Sequence, residues 1–160
     1  MSEQEMTSTG PTQDDRIMAA LSHITVILPF LGVVAPIIIW VTQKEKSQYV
    51  AFQALQALAY QLSLIIFYFV GMACYMCSFF GTFLGMVPLT ATSPEEPNPV
   101  AVAGFMLTFF IPFAVFGLMF LGMIGYIIYG LVAAVMVVQG KDFRYVFIGN
   151  RLERYLQQEQ

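Results

Sequence analysis

Long stretches without a charged side chain are the feature that most limits what this chain can fold into. Asp, Glu, Lys and Arg are absent from residues 17–43, 47–94 and 97–140. A helix needs about 20 apolar residues to cross the hydrocarbon core of a bilayer, which is about 30 Å thick. Charged residues make up 11% of the chain, whereas a soluble domain contains about 25%. We therefore predict an all-α integral membrane protein whose first partner is the lipid bilayer.

The same stretches divide the chain into three regions. Residues 1–15 are polar and acidic and are predicted to be a disordered tail. Residues 16–140 form the predicted transmembrane helical domain, and residues 141–160 a basic tail. Within the domain we expect three helices that span the membrane, or four if a further crossing is hidden. The predicted spans are about 17–41, 51–87 and 100–138, with a proline-rich loop at 88–99.

Prolines and glycines predict where these helices bend and stop. Pro29, Gly32 and Pro36 interrupt the first span, so we expect it to be kinked or locally unwound. Carbonyl groups freed at membrane depth need partners, so this segment should face other helices. Thr12, followed by Asp15, predicts the start of its helix.

The two later spans are longer than a bilayer requires. Either the second helix extends beyond the membrane, or it breaks near Gly71, Gly81 or Gly85. We expect the third to break near Pro112 and Gly117. In the basic tail, one predicted helical face is flanked by Arg144 and Arg151 and indicates a short amphipathic helix at the membrane surface. That face consists of Tyr145, Ile148, Leu152 and Tyr155.

The basic residues predict the orientation. Of the seven Lys and Arg residues, Lys44 and Lys46 lie in the turn at 42–48, four lie in the C-terminal tail, and none lies in 88–99. Since basic residues accumulate on the cytoplasmic side, the turn and the tail are predicted to be cytoplasmic in a multi-pass protein of the inner (plasma) membrane. The N-terminal tail is then outside, unless the first segment enters the membrane and returns. Its length favours a full crossing.

A polar stripe enters the bilayer on the second helix. Gln53, Gln56 and Tyr60 share one face at 3.6 residues per turn, and Gln61 follows. Buried amides cost free energy unless they are hydrogen-bonded, so we expect this face to meet another helix. The alternative is that it lines a polar cavity or a substrate path.

Two further features are candidates for chemistry. His23 lies in an apolar segment, where an ionisable residue suggests a proton or ligand role, although packing or interfacial bonding is the favoured interpretation. Cys74 and Cys77 match C-x-x-C but lie inside a helix rather than at its N-terminus, where thiols are activated. We interpret them as small apolar residues, with a redox or metal role as the alternative. With no further motif for catalysis, cofactor or nucleic-acid binding, we predict no enzyme, no cofactor and no nucleic-acid partner.

Several short motifs resemble one family of membrane proteins. L-S-H at 21–23, A-P-I-I-I-W-V at 35–41, Q-K-E-K-S-x-Y-V at 43–50 and Q-A-L-A-Y-Q at 56–61 follow one another along the chain. Their order resembles the Tic-twenty-like family of small bacterial membrane proteins, a domain of unknown function. The positions that match its motifs are Trp40, Lys44, Ser47, Arg144, Tyr145 and Arg151. Phe52-Gln53 and Val146 depart from the family pattern, which often has a His and a Pro there.

This resemblance implies three to four membrane helices and no known catalytic residues. A chloroplast relative of that family is proposed to help form a protein-conducting channel. Our first interpretation is a non-enzymatic membrane protein of unknown biochemical function, with a membrane-protein partner or a second copy as its companion. The alternatives are a component of a translocation or transport complex, and a membrane redox or metal protein that uses the cysteine pair.

Overall fold

The computed structural model describes residues 10–92, 98–146 and 148. These residues contain helices and connecting turns but no strand, so the predicted all-α fold is confirmed. Contacts divide the chain into two units, one made of residues 1–63 and 126–160 and the other of Leu64–Gly125. The helices are α1 (Gln13–Ile24), α2 (Val34–Gln43), α3 (Gln48–Thr92) and α4 (Pro99–Val138), with 3-10 turns at Thr25–Ile27 and Leu31–Val33.

Helix α1 begins at the predicted residue. The backbone N–H of Asp15 donates to Oγ1 of Thr12 at 3.2 Å, and the backbone N–H of Thr12 donates to Oδ2 of Asp15 at 3.0 Å. This reciprocal pair satisfies two N–H groups that a helix start leaves free. A hydrogen bond from the Thr12 hydroxyl lowers the pKa of the Asp15 carboxyl, and one from the Ser47 hydroxyl lowers it further. The start of α1 therefore lies beside the turn that precedes α3.

The segment between α1 and α2 reverses the direction of the chain. Pro29 has no N–H to continue the helix, Leu28 is extended, and Phe30 has a φ of 65°. The N–H of Leu31 donates to the carbonyl of Pro29 at 2.8 Å, and that of Gly32 to Leu28 at 2.7 Å, which closes the reversal. We call residues 13–43 the helical hairpin and residues 25–33 its tip.

The ends of the helical hairpin meet on one side of the first unit. The Asp15 carboxyl lies near the hydroxyl of Ser47, four residues beyond the end of α2. The 12 residues of α1 span only about 18 Å, less than the bilayer core of about 30 Å. This geometry is compatible with the alternative, a segment that enters the membrane and returns, and the crossing of residues 17–41 remains a prediction. The predicted unwinding is present, because the prolines and Gly32 occupy the tip and the start of α2.

Helices α3 and α4 run without the predicted breaks. They contain 45 and 40 residues, or about 68 and 60 Å. Helix α3 continues past all three of its candidate glycines to Thr92, so the loop predicted at 88–99 starts too early. Residues 93–97 of that loop lie outside the described part of the chain. Helix α4 opens with Pro99, which suits a first helical position because no N–H is needed there, and its Val100 N–H donates to Oδ1 of Asn98 at 2.9 Å.

The predicted break at Pro112 is absent for a physical reason. Proline cannot donate to the carbonyl of Thr108, four residues earlier. Within the second unit, the hydroxyl of Thr82 on α3 shares its hydrogen between the carbonyl of Ser78, at 2.9 Å, and that of Thr108, at 3.3 Å, and Thr82 is only 6% exposed. A freed carbonyl at membrane depth is tolerated when a neighbouring helix supplies such a donor. Pro112 therefore lies inside a continuous α4.

Both long helices carry their apolar side chains outward. Gln48–Gly85 and Val102–Val138 are long and apolar enough to cross a membrane, and only 6% and 22% of their most apolar windows are buried. The core helix of a soluble protein would bury most of such a window, whereas a helix in lipid need not. Among the described residues, only these two helices meet the length requirement; three or four spans remain a prediction.

A glycine turn ends α4 and starts the segment that completes the first unit. The N–H of Gly140 donates to the carbonyl of Val137 at 2.9 Å, and that of Lys141 to Met136 at 3.1 Å. Gly140 has a φ of 77°, the left-handed conformation that ends many helices. A Cβ there would lie 2.6 Å from Cζ of Arg16, so the guanidinium of Arg16 lies directly over this glycine.

Residues 141–145 then run in an irregular, non-helical conformation. The amphipathic helix predicted from Tyr145 onward is therefore wrong at its first residue, because Tyr145 is only 2% exposed and is held inside the first unit. Its other predicted positions, Arg151, Leu152 and Tyr155, lie outside the described residues. We call residues 141–145 the C-terminal strap.

Candidate functional site

The polar stripe of α3 lies inside the first unit. Gln53 and Gln56 are 0% exposed and Gln61 is 4% exposed. The neighbouring positions on this face are Ala54 and Ala57, whose small side chains let other segments approach α3 closely. The stripe therefore meets protein, and its amides are the centre of a buried polar network.

Two glutamine side chains bind the backbone of the C-terminal strap. Nε2 of Gln53 donates to the carbonyl of Phe143 at 3.2 Å, and Nε2 of Gln56 donates to the same carbonyl at 3.4 Å. The backbone N–H of Tyr145 donates to Oε1 of Gln56 at 3.0 Å. A carbonyl only accepts and a backbone N–H only donates, so these partners fix the orientation of the Gln56 amide. The strap obtains from side chains the hydrogen bonds that a helix or sheet would otherwise supply.

The ring of His23 extends this network as a neutral imidazole. Its Nε2 lies 3.2 Å from Oε1 of Gln53, an atom that only accepts, so Nε2 carries the hydrogen. Its Nδ1 lies 3.1 Å from the hydroxyl of Tyr145. Burial raises the pKa of the Tyr145 hydroxyl, with smaller contributions from nearby tyrosines, so Tyr145 keeps its proton and donates to Nδ1. Both ring nitrogens are thus engaged, and neither is free for a metal ion or for proton transfer.

Tyr60 connects the network to α4. Its ring is stacked between the ring of Tyr126, with centroids 3.9 Å apart, and that of Tyr145, with centroids 4.1 Å apart. Its hydroxyl donates to the carbonyl of Tyr126 at 2.8 Å, and the Tyr126 hydroxyl donates to the carbonyl of Tyr60 at 2.6 Å. These bonds fasten α3 to α4 at the level of the strap.

Gln61 holds the tip of the helical hairpin. Its Nε2 donates to the carbonyl of Ser22 at 3.1 Å and to Oγ1 of Thr25 at 3.0 Å. Its Oε1 is buried without a hydrogen-bond partner among the described residues, and a Cβ on Gly32 would lie 3.1 Å from it. Gln61 is 13 residues after Gln48, so the tip lies about 20 Å along α3, roughly two thirds of a bilayer core.

Of the positions singled out by the family resemblance, Arg151 lies outside the described residues, and the others, except Tyr145, lie apart from this network. Nζ of Lys44 is 5.9 Å from the centre of the Trp40 ring. Oγ of Ser47 accepts from the N–H of Val50 at 3.4 Å at the start of α3. Arg144 pairs with Asp142 at 3.0 Å and lies over the ring of Phe52.

Cys74 and Cys77 are both exposed and free in the second unit. The described residues contain no group of three or more His, Cys, Asp and Glu side chains that could hold a metal ion. The redox or metal alternative has no supporting contact in this part of the chain.

Sequence reasoning missed three partners in the network: Tyr126, Phe143 and Thr25. The spacing of residues in α4 could have identified Tyr126. It is the first of a series of mostly small or aromatic residues, three and four positions apart, that share one face of the helix. That face comprises Tyr126, Tyr129, Gly130, Ala133, Ala134 and Val137. Phe143 accepts hydrogen bonds through its backbone carbonyl, for which the sequence holds no signal. Its ring also packs edge-on against those of Tyr145, at 5.0 Å, and Tyr129, at 5.8 Å.

Comparison with known proteins identifies a family. Residues 14–152 match the model of the MamF/MmsF family, described as the magnetosome magnetite crystal formation protein family. Searches among curated proteins and among solved structures gave no significant match. The predicted membership of the Tic-twenty-like family is therefore wrong. Part of the resemblance consists of Trp40 and Lys44, and Trp and Lys recur for general physical reasons where membrane helices meet the headgroups. The match covers most of the chain and both long apolar helices, and the chain belongs to the magnetosome magnetite crystal formation protein family.

Proposed function

We propose that this chain is a non-enzymatic integral membrane protein that takes part in forming magnetite crystals at the magnetosome membrane. The observation that carries the proposal is the family match over residues 14–152. Two long helices with outward apolar side chains support the membrane location. The family description concerns crystal formation, and that role is transferred here as a proposal.

The polar network supports a non-enzymatic role. A catalytic acid or base must reach a substrate proton directly or through one water. Both nitrogens of His23 and the hydroxyl of Tyr145 bond to each other or to Gln53, and the network is enclosed by its own chain. The same enclosure argues against a polar path along the glutamine stripe, because the C-terminal strap covers the amides. We assign the network the role of fixing the strap and the helical hairpin against α3.

The geometry also supports a topology. We propose that α3 and α4 cross the membrane and that the helical hairpin enters from the side of the turn at 42–48 and returns to it. The start of α1, the turn and the start of the strap then share one side. That side is cytoplasmic by the distribution of Lys and Arg.

Labelling of single cysteines tests this topology. In a background carrying Cys74→Ser and Cys77→Ser, we expect Asp14→Cys and Glu45→Cys to react with a membrane-impermeant maleimide only after the cytoplasmic side is opened. Asn98→Cys, beyond the end of α3, should react on intact spheroplasts. If Asp14→Cys and Asn98→Cys both react on intact spheroplasts, the first segment crosses the membrane.

Deletion and complementation test the proposed function. In a magnetosome-forming host, we expect deletion to change the size, shape or number of magnetite crystals measured by electron microscopy. The wild-type chain and Gln48→Leu, at an exposed position of α3, should restore them, whereas Gln56→Leu should restore them less. Unchanged crystals in the deletion strain would contradict the proposal.

A further inference from the structure

Two apolar grooves adjoin on the outer face of α4. The first lies between α1 and α4 and has a volume of about 340 Å³; among its residues are Ile17, Leu21 and Val138. The second follows α4 from Ile128 to Lys141 and has a volume of about 380 Å³. Val135 and Gln139 line both grooves. The grooves therefore run side by side and share one ridge.

The dimensions of the second groove correspond to one leaflet of a bilayer. The 11 residue steps from Ile128 to Gln139 cover about 16 Å, and half of a bilayer core is about 15 Å. The deep part is lined by aliphatic side chains, whereas Gln139 and Lys141 provide polar groups at one end only. This arrangement is apolar along the length of an acyl chain and polar where a headgroup would lie.

Positive charge is available at the polar end. Lys141 is exposed and makes no ion pair with a described residue. Arg16 lies over Gly140, the residue before Lys141. Of the nearby carboxylates, Asp142 is paired with Arg144 at 3.0 Å, and Asp15 is hydrogen-bonded to Thr12. Asp14 is exposed and lies one turn before Ile17 on α1. Lys141 and Arg16 are the cations at the polar end of the grooves.

We propose that the paired grooves bind one two-chain phospholipid, with an acyl chain on each side of Val135 and the phosphate at Lys141. A phosphodiester is an anionic acceptor for the Lys141 ammonium, and Gln139 can donate to its ester oxygens. Two grooves that meet at their polar ends match the branching of two acyl chains from one glycerol. The inference rests on the membrane location in the proposed function and assigns the site a ligand class.

Native mass spectrometry of the protein in maltoside micelles tests the site, with phosphatidylglycerol as the probe and a diacylglycerol of the same chains as the phosphate-free comparison. We expect the wild-type chain to retain one phosphatidylglycerol and to release the diacylglycerol. Lys141→Ala should weaken retention about tenfold, the lower end of what a hydrogen bond to a charged group contributes. Val135→Trp, which places a larger side chain between the two grooves and fills part of each, should abolish the retention of phosphatidylglycerol.

Matched controls separate this site from general lipid adhesion. Lys46→Ala removes a basic residue of the turn, and Leu121→Trp enlarges a side chain of α4 that is 66% exposed outside the grooves; both should bind as the wild type does. Equal retention by wild type and Lys141→Ala would overturn the proposal, as would a lipid-free dimer that Val135→Trp dissociates. If Val135→Trp does not fold, Lys141→Ala alone decides. The two hypotheses fail separately. Equal lipid retention by the wild type and Lys141→Ala contradicts this inference, whereas unchanged crystals in the deletion strain contradict the proposed function.

Discussion

Replacement of Gln56 by leucine is expected to lower the free energy of unfolding by about 2–3 kcal/mol, because it leaves a buried backbone N–H without a partner. That N–H belongs to Tyr145 and donates to Oε1 of Gln56 at 3.0 Å. The carbonyl of Phe143 keeps its bond from Gln53. The strap therefore loses its attachment at the Tyr145 N–H but keeps the one at Phe143. Denaturant unfolding of the purified protein in maltoside measures the loss.

Hydrogen exchange gives the local readout of the same variant. The Tyr145 amide should exchange faster in Gln56→Leu, because the variant lacks the oxygen that accepts its hydrogen bond. Gln48→Leu changes the same side-chain type at an exposed position of the same helix and should leave both measurements unchanged. A protected Tyr145 amide in Gln56→Leu would show that the strap is held by other contacts.

Replacement of Gly32 by alanine is expected to open the tip of the helical hairpin. The added Cβ would overlap the carbonyl oxygen of Thr25 and lie 3.1 Å from Oε1 of Gln61. The overlapping atom is backbone, so it cannot turn aside as a side chain would, and we expect a loss of about 3 kcal/mol, the upper end for overpacking. Thermal unfolding in maltoside measures it.

Gly81→Ala is the matched control for Gly32→Ala. A Cβ at Gly81 meets nothing within 4 Å, and alanine in a helix interior is favoured over glycine by about 0.5–1 kcal/mol. The control should therefore be neutral or slightly stabilising. Equal stabilities of the two variants would show that the tip tolerates a side chain and that its close contacts are not required.

Local signals in the sequence identified the elements more reliably than their arrangement. The pairing of Thr12 and Asp15 depends on residues three apart, and the start of α1 follows from it directly. The burial of Gln53 and Gln56 follows from the cost of leaving amides in lipid. The long uncharged stretches are sufficient to indicate membrane helices, because the length of a bilayer crossing is a fixed physical requirement.

The arrangement depends on contacts between distant residues, which one sequence does not show. Pro112 alone predicts a break, and only the hydroxyl of Thr82 in the neighbouring helix removes the need for one. The length of residues 17–41 is enough for a crossing, and only the fold shows that α1 packs against α2, with Asp15 near Ser47. Phe143 enters the network through its carbonyl, which every residue type possesses.

The C-terminal strap also determines when the first unit can be completed during synthesis. Phe143 is made 90 residues after Gln53 and 87 residues after Gln56. A chain whose synthesis has reached Gly140 already contains the helical hairpin and both long helices, but its two glutamine amides still lack their backbone partners. The last bonds of the network therefore form only after the last transmembrane helix has left the ribosome. The contacts between α3 and the C-terminal strap are therefore completed only after α4 has been synthesised.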